Sequence, residues 1–273
     1  MAELTRKEVI LLLAVVGAPN ASARLAGVDL SELDLRGLNF QHADLRLADL
    51  RGAQLGRGNF HQADLSKANL TQADLSECDL SSATLTGAIL HDARLLNCNL
   101  REANLGCVDA VGADLRDADM SDARMALADF SSADMSRARL PRARMGKAQL
   151  GGADLLDAVL HNADLSEANL DLANCVRADL NHAFVQRASL IGTNLEWANL
   201  RDANLSDALL TRAQLSNADC SRAILRSAHL GGAVLRDTNL SEAILRDAIL
   251  DNDALLYAVL AGTVLPDGNS LPG

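Results

Sequence analysis

The stretch HNADLSEANL, residues 161–170, sets Ala163 and Ala168 each two residues before a Leu, with an acid or amide between them, at an interval of five. Neither regular element has that period. Five residues advance about 500° around an α-helix, so the Leu residues would drift around every side. A strand repeats every two residues. Within each unit, however, Ala and Leu lie two apart and so share one side of a short extended piece. The next inward Ala follows three residues later, an odd step that demands a corner. Short extended sides joined by corners make a coil, and stacked coils make a solenoid.

The pattern runs far beyond these ten residues. Of the 49 positions at multiples of five from Leu25 to Leu265, 38 are Leu, and two residues earlier 38 of 49 are Ala. One residue before the inward Leu, 27 of 49 are Asp or Asn, and no insertion breaks the register. Such an internal repeat decides the architecture. Side-specific departures recur at 20 residues or its multiples: Phe40 and Phe60, Cys78 and Cys98, Met125 and Met145, and the series Gly52, Gly112, Gly152, Gly192 and Gly232. Four sides per coil follow. About twelve coils at about 4.8 Å each make a rod of about 58 Å.

The A-(D/N)-L-x-x unit over residues 23–267 resembles the pentapeptide-repeat family. The resemblance implies an all-β fold, a right-handed quadrilateral β-helix (solenoid). In that fold the central Leu and the Ala two before it point inward, and the other three residues face solvent. The chain then divides into an N-terminal capping helix and linker (1–22), the β-helix (23–267) and a flexible tail (268–273).

Both ends of a solenoid expose core and need caps. Thr5-Arg6-Lys7-Glu8 reads as a capping box. An apolar run follows from Val9 to Val16, with Gly17 and Pro19 as stops. A helix apolar nearly all round is expected to be buried against the first coil, where Val28, Leu33 and Leu38 replace the inward Ala. At the other end Asp253 takes an inward Ala position. A buried unpaired carboxylate is costly, so the repeat is expected to deform there. Residues 254–261 read either as a short helix capped by Asp253 or as the last coil, and the tail as loose.

Composition narrows the function classes. Net charge −11 disfavours direct nucleic-acid binding and suits a soluble protein with basic partners. The five cysteines include no CxxC pair, which points to free thiols and a reducing, cytoplasmic setting. The alternative is a cleaved signal peptide, suggested by the apolar run and the Ala-Ser-Ala at 21–23, although Glu3 and Glu8 stand where such peptides are basic. No run is long enough to span a membrane. No nucleophile, His and acid cluster, and no Gly-rich phosphate loop follows a strand. His161 and His182 lack a third ligand and lie out of register, so neither catalysis, a metal nor a cofactor is expected.

Function must then reside on outward positions. The residue before the inward Leu is apolar only at Ile89, Val159 and Phe184 in the first 37 units, but at Leu209, Ile224, Val234, Ile244 and Ile249 in the next nine. Leu256, Tyr257 and Val259 extend the series. These eight form the candidate partner or dimer surface, since clustered exposed apolar area marks interfaces; the bland alternative is strand propensity. The run Arg137, Arg139, Arg142, Arg144 and Lys147 reads as an anion patch or, with acids one coil away, as a ladder of exposed pairs.

The expected function is therefore a non-enzymatic scaffold rod that presents a protein-binding surface. The alternative comes from the resemblance. The family includes DNA mimics that bind a type II topoisomerase, DNA gyrase, and relatives of that kind dimerise through their C-terminal ends.

Overall fold

The computed structural model describes residues 4–15 and 23–273. From Arg24 onward the backbone climbs as a square solenoid. Every residue before an inward position except Val234 pairs in parallel with the residue 20 further on: Arg24 with Asp44, Asp29 with Asp49, Asp34 with Gln54, Asn39 with Asn59, and so upward to Ile244 with Val264. The four sides inferred from the 20-residue recurrences are thus observed. Each side is so short that one residue carries the pairing. Asp44 donates its N–H back to Ala23 O at 2.8 Å, while Leu45 donates forward to Asp64 O at 2.7 Å.

The corners share one conformation. Ala48 N–H returns to Leu45 O at 3.1 Å, and the residue between, Leu47, has φ 59°. A left-handed third residue closed by a bond from the fourth to the first describes a type II turn. Every fifth residue from Gly27 to Asp247 has positive φ. No Val, Ile or Thr stands at any of these places, because β-branched side chains fit that region worst. The residue before it suits Pro, whose ring presets φ, and Pro141 stands there.

The motif's Asp and Asn also have a local task. Asp64 Oδ1 accepts the N–H of Ser66 at 2.9 Å, Asp154 that of Leu156 at 3.0 Å, and Asn204 that of Ser206 at 3.1 Å. Most units repeat this bond, so the acid or amide ties down the corner that follows it. Before Pro141, which has no N–H, the position is taken by Arg139.

The interior is a column of Leu and Ala with almost no exposure. Larger polar guests are satisfied by one repeated contact. Thr193, Thr238 and Thr263 donate their hydroxyls to the carbonyls of Leu170, Leu215 and Leu240 at 2.7–2.8 Å. Cys98 Sγ reaches Leu75 O in the same way.

The capping box forms: Thr5 N–H meets Glu8 Oε2 at 2.7 Å, and Glu8 N–H faces Thr5 Oγ1 at 3.4 Å. It opens α1 (Arg6–Val15). The helix packs against the first coil as expected, but along one stripe only. Val9 is fully buried, and Leu4 and Leu13 pack partly on the first coil, while Ile10, Leu11 and Leu12 face outward. A helix lying across one end of a rod can bury only one stripe, and residues four apart define it. Arg6 clamps the helix to the first coil through Asp34 Oδ1 at 3.1 Å and the Arg36 carbonyl at 3.2 Å. The stop signals Gly17 and Pro19 lie outside the described residues.

The C-terminal end breaks its own rule before resuming it. Asp253 turns outward, and residues 251–258 form successive tight turns, with Ala254 N–H on Asp251 O and Leu256 N–H on Asp253 O, both at 3.1 Å. Asn252 and Tyr257 abandon the left-handed corner. Residues 254–261 are therefore neither the expected α-helix nor a complete coil, and pairing resumes at Val259 with Asn239. The tail is not loose. Ser270 pairs antiparallel with Val264, and Leu271 donates to Thr263 O at 2.9 Å.

Candidate functional site

The eight apolar candidates do not fall on one face. Ile224 and Ile244 are direct neighbours on one side of the square, continued by Val264. Leu209 and Ile249 lie on the next side with His229 between them. Val234 occupies the third side, next to Gln214, and Val259 the fourth, next to Asn239. Leu256 and Tyr257 project from the disrupted corner, each 68 % exposed, and Ile249 and Val259 are more than half exposed. The set therefore rings the last coils, and its most exposed members gather at the end of the rod. There the inward Leu250, Leu255 and Leu260 are only partly covered, in contrast to Leu25, Leu30 and Leu35 beneath α1.

The basic run resolves mainly into a ladder. Arg137 grips Asp117 with two bonds of 2.8 Å, Arg142 holds Asp122 at 2.6 Å, and Lys147 reaches Glu167 at 3.4 Å. Arg139 stands 3.9 Å from Asp119. The pattern extends along the corners, with Arg177 on Asp157 and Arg222 on Asp202. Arg137, Arg142, Arg177 and Arg222, through hydrogen bonds first and charge second, hold Asp117, Asp122, Asp157 and Asp202 below the ordinary carboxylate range. Arg144 is not part of the ladder. No carboxylate lies within ion-pair distance of it among the described residues.

Chemistry-bearing groups stay dispersed. His161 Nδ1 faces the Asn162 amide and His182 stands 3.9 Å from Asp202, so the two rings serve separate contacts. His91 Nε2 meets Asp109 Oδ1 at 2.6 Å, both closed off from solvent. Among the described residues no three His, Cys, Asp or Glu side chains converge as metal ligands, and no described helix is long and apolar enough to cross a membrane. Burial pushes the thiols of Cys175 and Cys220 up to about 12 and that of Cys98 well above its usual value.

A square solenoid with 20-residue coils, an Ala-Leu interior and Asp/Asn-tied type II corners defines a class, and comparison with known proteins gives the same class. The model of pentapeptide repeats matches eight copies between residues 21 and 252. The chain belongs to the pentapeptide-repeat family, whose members fold as right-handed quadrilateral β-helices and are generally structural or interaction proteins without enzymatic activity.

Among solved structures it is similar to HetL, a pentapeptide repeat protein involved in heterocyst differentiation regulation from the cyanobacterium Nostoc sp. strain PCC 7120. The identity is 31 %, over 99 % of this chain and 100 % of that one, with a TM-score of 0.44. It is also similar to a trypsin-treated form of QnrB1, a plasmid-mediated fluoroquinolone resistance protein, at 18 % identity over 74 % and 95 % of the chains and a TM-score of 0.30. A third is the pentapeptide repeat protein Rfr23 of the cyanobacterium Cyanothece 51142, at 31 % identity over 41 % and 64 % of the chains and a TM-score of 0.19. No curated protein sequence matches the chain.

Proposed function

We propose that the protein is a rigid, non-enzymatic rod that binds other proteins and joins a second copy of itself through its C-terminal end. The observation that carries this reading is the asymmetry of the ends. At the start of the solenoid, beneath α1, Leu25, Leu30 and Leu35 are fully buried, and only Val28, Leu33 and Leu38 stay partly covered. At the finish, Leu250, Leu255 and Leu260 are only partly covered, and beside them stand the exposed Ile249, Leu256, Tyr257 and Val259. Clustered exposed apolar area of this kind marks an association surface, and a solenoid end is where core is otherwise lost to water.

Light scattering tests it. The native chain is expected as a dimer, and the double variant Ile249→Asp with Tyr257→Asp as a folded monomer. A native monomer at about 100 μM, a concentration well above ordinary dimer dissociation constants, would sink the self-association.

Mimicry of duplex DNA toward a type II topoisomerase is the second reading. Net charge −11 and the column Asp114, Asp134, Asp154 at one-coil intervals favour it. Against it, Arg116 lies between two of those acids, 2.7 Å from Asp114 and 3.6 Å from Asp134, and the corner ladders neutralise others. Inhibition of DNA gyrase supercoiling by the native chain would establish mimicry; full supercoiling with the protein in excess over the enzyme would remove it.

A further inference from the structure

One face of the rod inverts the motif. On the side that carries Asp44, Asp64, Asn104, Asp164 and Asn204, each of these residues accepts the N–H two residues on, at 2.9–3.3 Å. In the middle of that side two successive coils carry Arg124 and Arg144 instead, paired directly with each other across the bridge. Like charges placed directly opposite in a sheet repel, yet among the described residues neither guanidinium has a carboxylate partner. The N–H groups of Ala126 and Gly146, which the missing acids would have tied down, have no acceptor either. Two guanidinium groups and two backbone donors are thus presented together at one-coil spacing, about 4.8 Å.

The setting is a groove of about 870 Å³. It runs from Glu102 across Arg124 and Arg144 to Asp164 and the exposed ring of Phe184. Of its three acids, Asp122 is held by Arg142 at 2.6 Å, Asp164 accepts the Ser166 N–H at 3.0 Å, and Glu102 stands at the end of the groove opposite Phe184. Phe184 lies two coils beyond Arg144 on the same side. It stands three coils, about 14 Å, from Arg124, the reach of about four extended residues.

We propose that this groove binds an acidic segment of a protein partner. Two neighbouring carboxylates would take the place of the repeat's own, bonding Arg124, Arg144 and the free N–H groups. An apolar side chain four residues beyond the first carboxylate, on the same face of the extended segment, would rest on Phe184. Charge-assisted bonds from arginine to carboxylate are strong and directional, and an aromatic at the far end adds desolvated contact area. The proposal gives the chemistry of one partner for the protein-binding rod. It does not use the C-terminal end, so light scattering and the following measurement can fail separately.

The test is fluorescence anisotropy at low ionic strength with a fluorescein-labelled Gly-Asp-Gly-Asp-Gly-Leu-Gly peptide, whose acids and Leu share one face when extended. The double variant Arg124→Asn with Arg144→Asn restores the family's own corner bond, so it is expected to melt at or above the native temperature. It should bind the peptide about tenfold more weakly or worse. Phe184→Ala should weaken binding severalfold, and the peptide with Asn in place of both acids should bind neither protein.

The control Arg177→Gln with Arg222→Gln removes the same charge elsewhere and should bind as the native chain does. Equal binding of acid and amide peptides, an unchanged affinity in the Asn double variant, or an equal loss in the control would overturn the proposal. So would displacement of the peptide by inorganic phosphate at the same concentration as unlabelled peptide, which would mark a simple oxyanion site.

Discussion

Phe60 lies flat on Phe40 one coil below, ring centroids 4.8 Å apart and planes 7° from parallel, with both rings fully buried in the interior. The same ring explains Gly58, which stands at an inward position where 38 of 49 units have Ala. A methyl on Gly58 would come within 2.7 Å of Phe60 Cε2 and 2.8 Å of Leu55 O. Gly58→Ala is therefore expected to destabilise by about 1–3 kcal/mol, the range for overpacking. In a Phe60→Leu background the same change should cost less, because the ring contact is gone and only the Leu55 carbonyl contact remains. Guanidinium denaturation of the four chains measures the coupling, and simple additivity would show that the ring is not the obstacle.

The left-handed corners give the second prediction. Leu127 is exposed and has φ 60°, so its substitutions report backbone strain with little packing. Leu127→Asn should raise the melting temperature, since Asn tolerates that conformation, and Leu127→Val should lower stability by about 1 kcal/mol. Equal midpoints for the Asn and Val chains would mean that the corner relaxes to accept any residue.

Much of this was legible before the structure, and the rest had physical reasons to stay hidden. The five-residue step placed Ala163 and Leu165 inward, and the 20-residue recurrence of Phe40 and Phe60 or Cys78 and Cys98 anticipated the coil. Asp253 foretold the break, though neither alternative for 254–261 describes turns that leave the ladder and rejoin it. The exposure of Ile10, Leu11 and Leu12 was not readable from an apolar run, which carries no information on which stripe meets a neighbour. In the sequence, Asp and Asn before Leu register only as solvent-facing residues. Their bond to the next corner was missed, and with it the meaning of Arg124 and Arg144. The absence of Val, Ile and Thr at every corner from 27 to 247 was the available clue to the turn type.

That corner bond can be tested at Asp154, whose Oδ1 accepts both the Leu156 N–H at 3.0 Å and the Asn174 amide at 2.9 Å. Asp154→Ala removes the acceptor from two donors and should cost about 1–2 kcal/mol. Asp154→Asn keeps an oxygen in the same place and should retain most of the stability. A chain with Ala as stable as the one with Asn would reduce the motif's acid to a solubilising residue.

Acid should weaken the fold. Asp117, Asp122, Asp157 and Asp202 each bond an Arg 20 residues later and are held below the ordinary carboxylate value. Lowered folded values mean that the unfolded chain binds protons more readily, so stability from these pairs is complete above pH of about 4 and is lost as pH falls further. The melting temperature should be flat from pH 7 to 5 and decline below 4, less steeply at 1 M salt because the pairs are exposed. A melting temperature that rises between pH 4.5 and 3 would contradict this ladder.

The thiols offer a reading of how the rod opens. Cys107 sits on an exposed corner, whereas Cys78, Cys98, Cys175 and Cys220 point into the interior. A thiol must ionise and be reached to react, and burial holds Cys175 and Cys220 at about 12. The native chain should therefore consume one equivalent of a maleimide quickly, and five when denatured. Stacked repeats open from their ends more easily than from their middle, and the C-terminal end is the less covered. Cys220 should accordingly label before Cys98 and Cys175 at denaturant concentrations below the main transition, as mass mapping of the labelled peptides would show. Simultaneous labelling of all four would mean that the coils melt as a single unit.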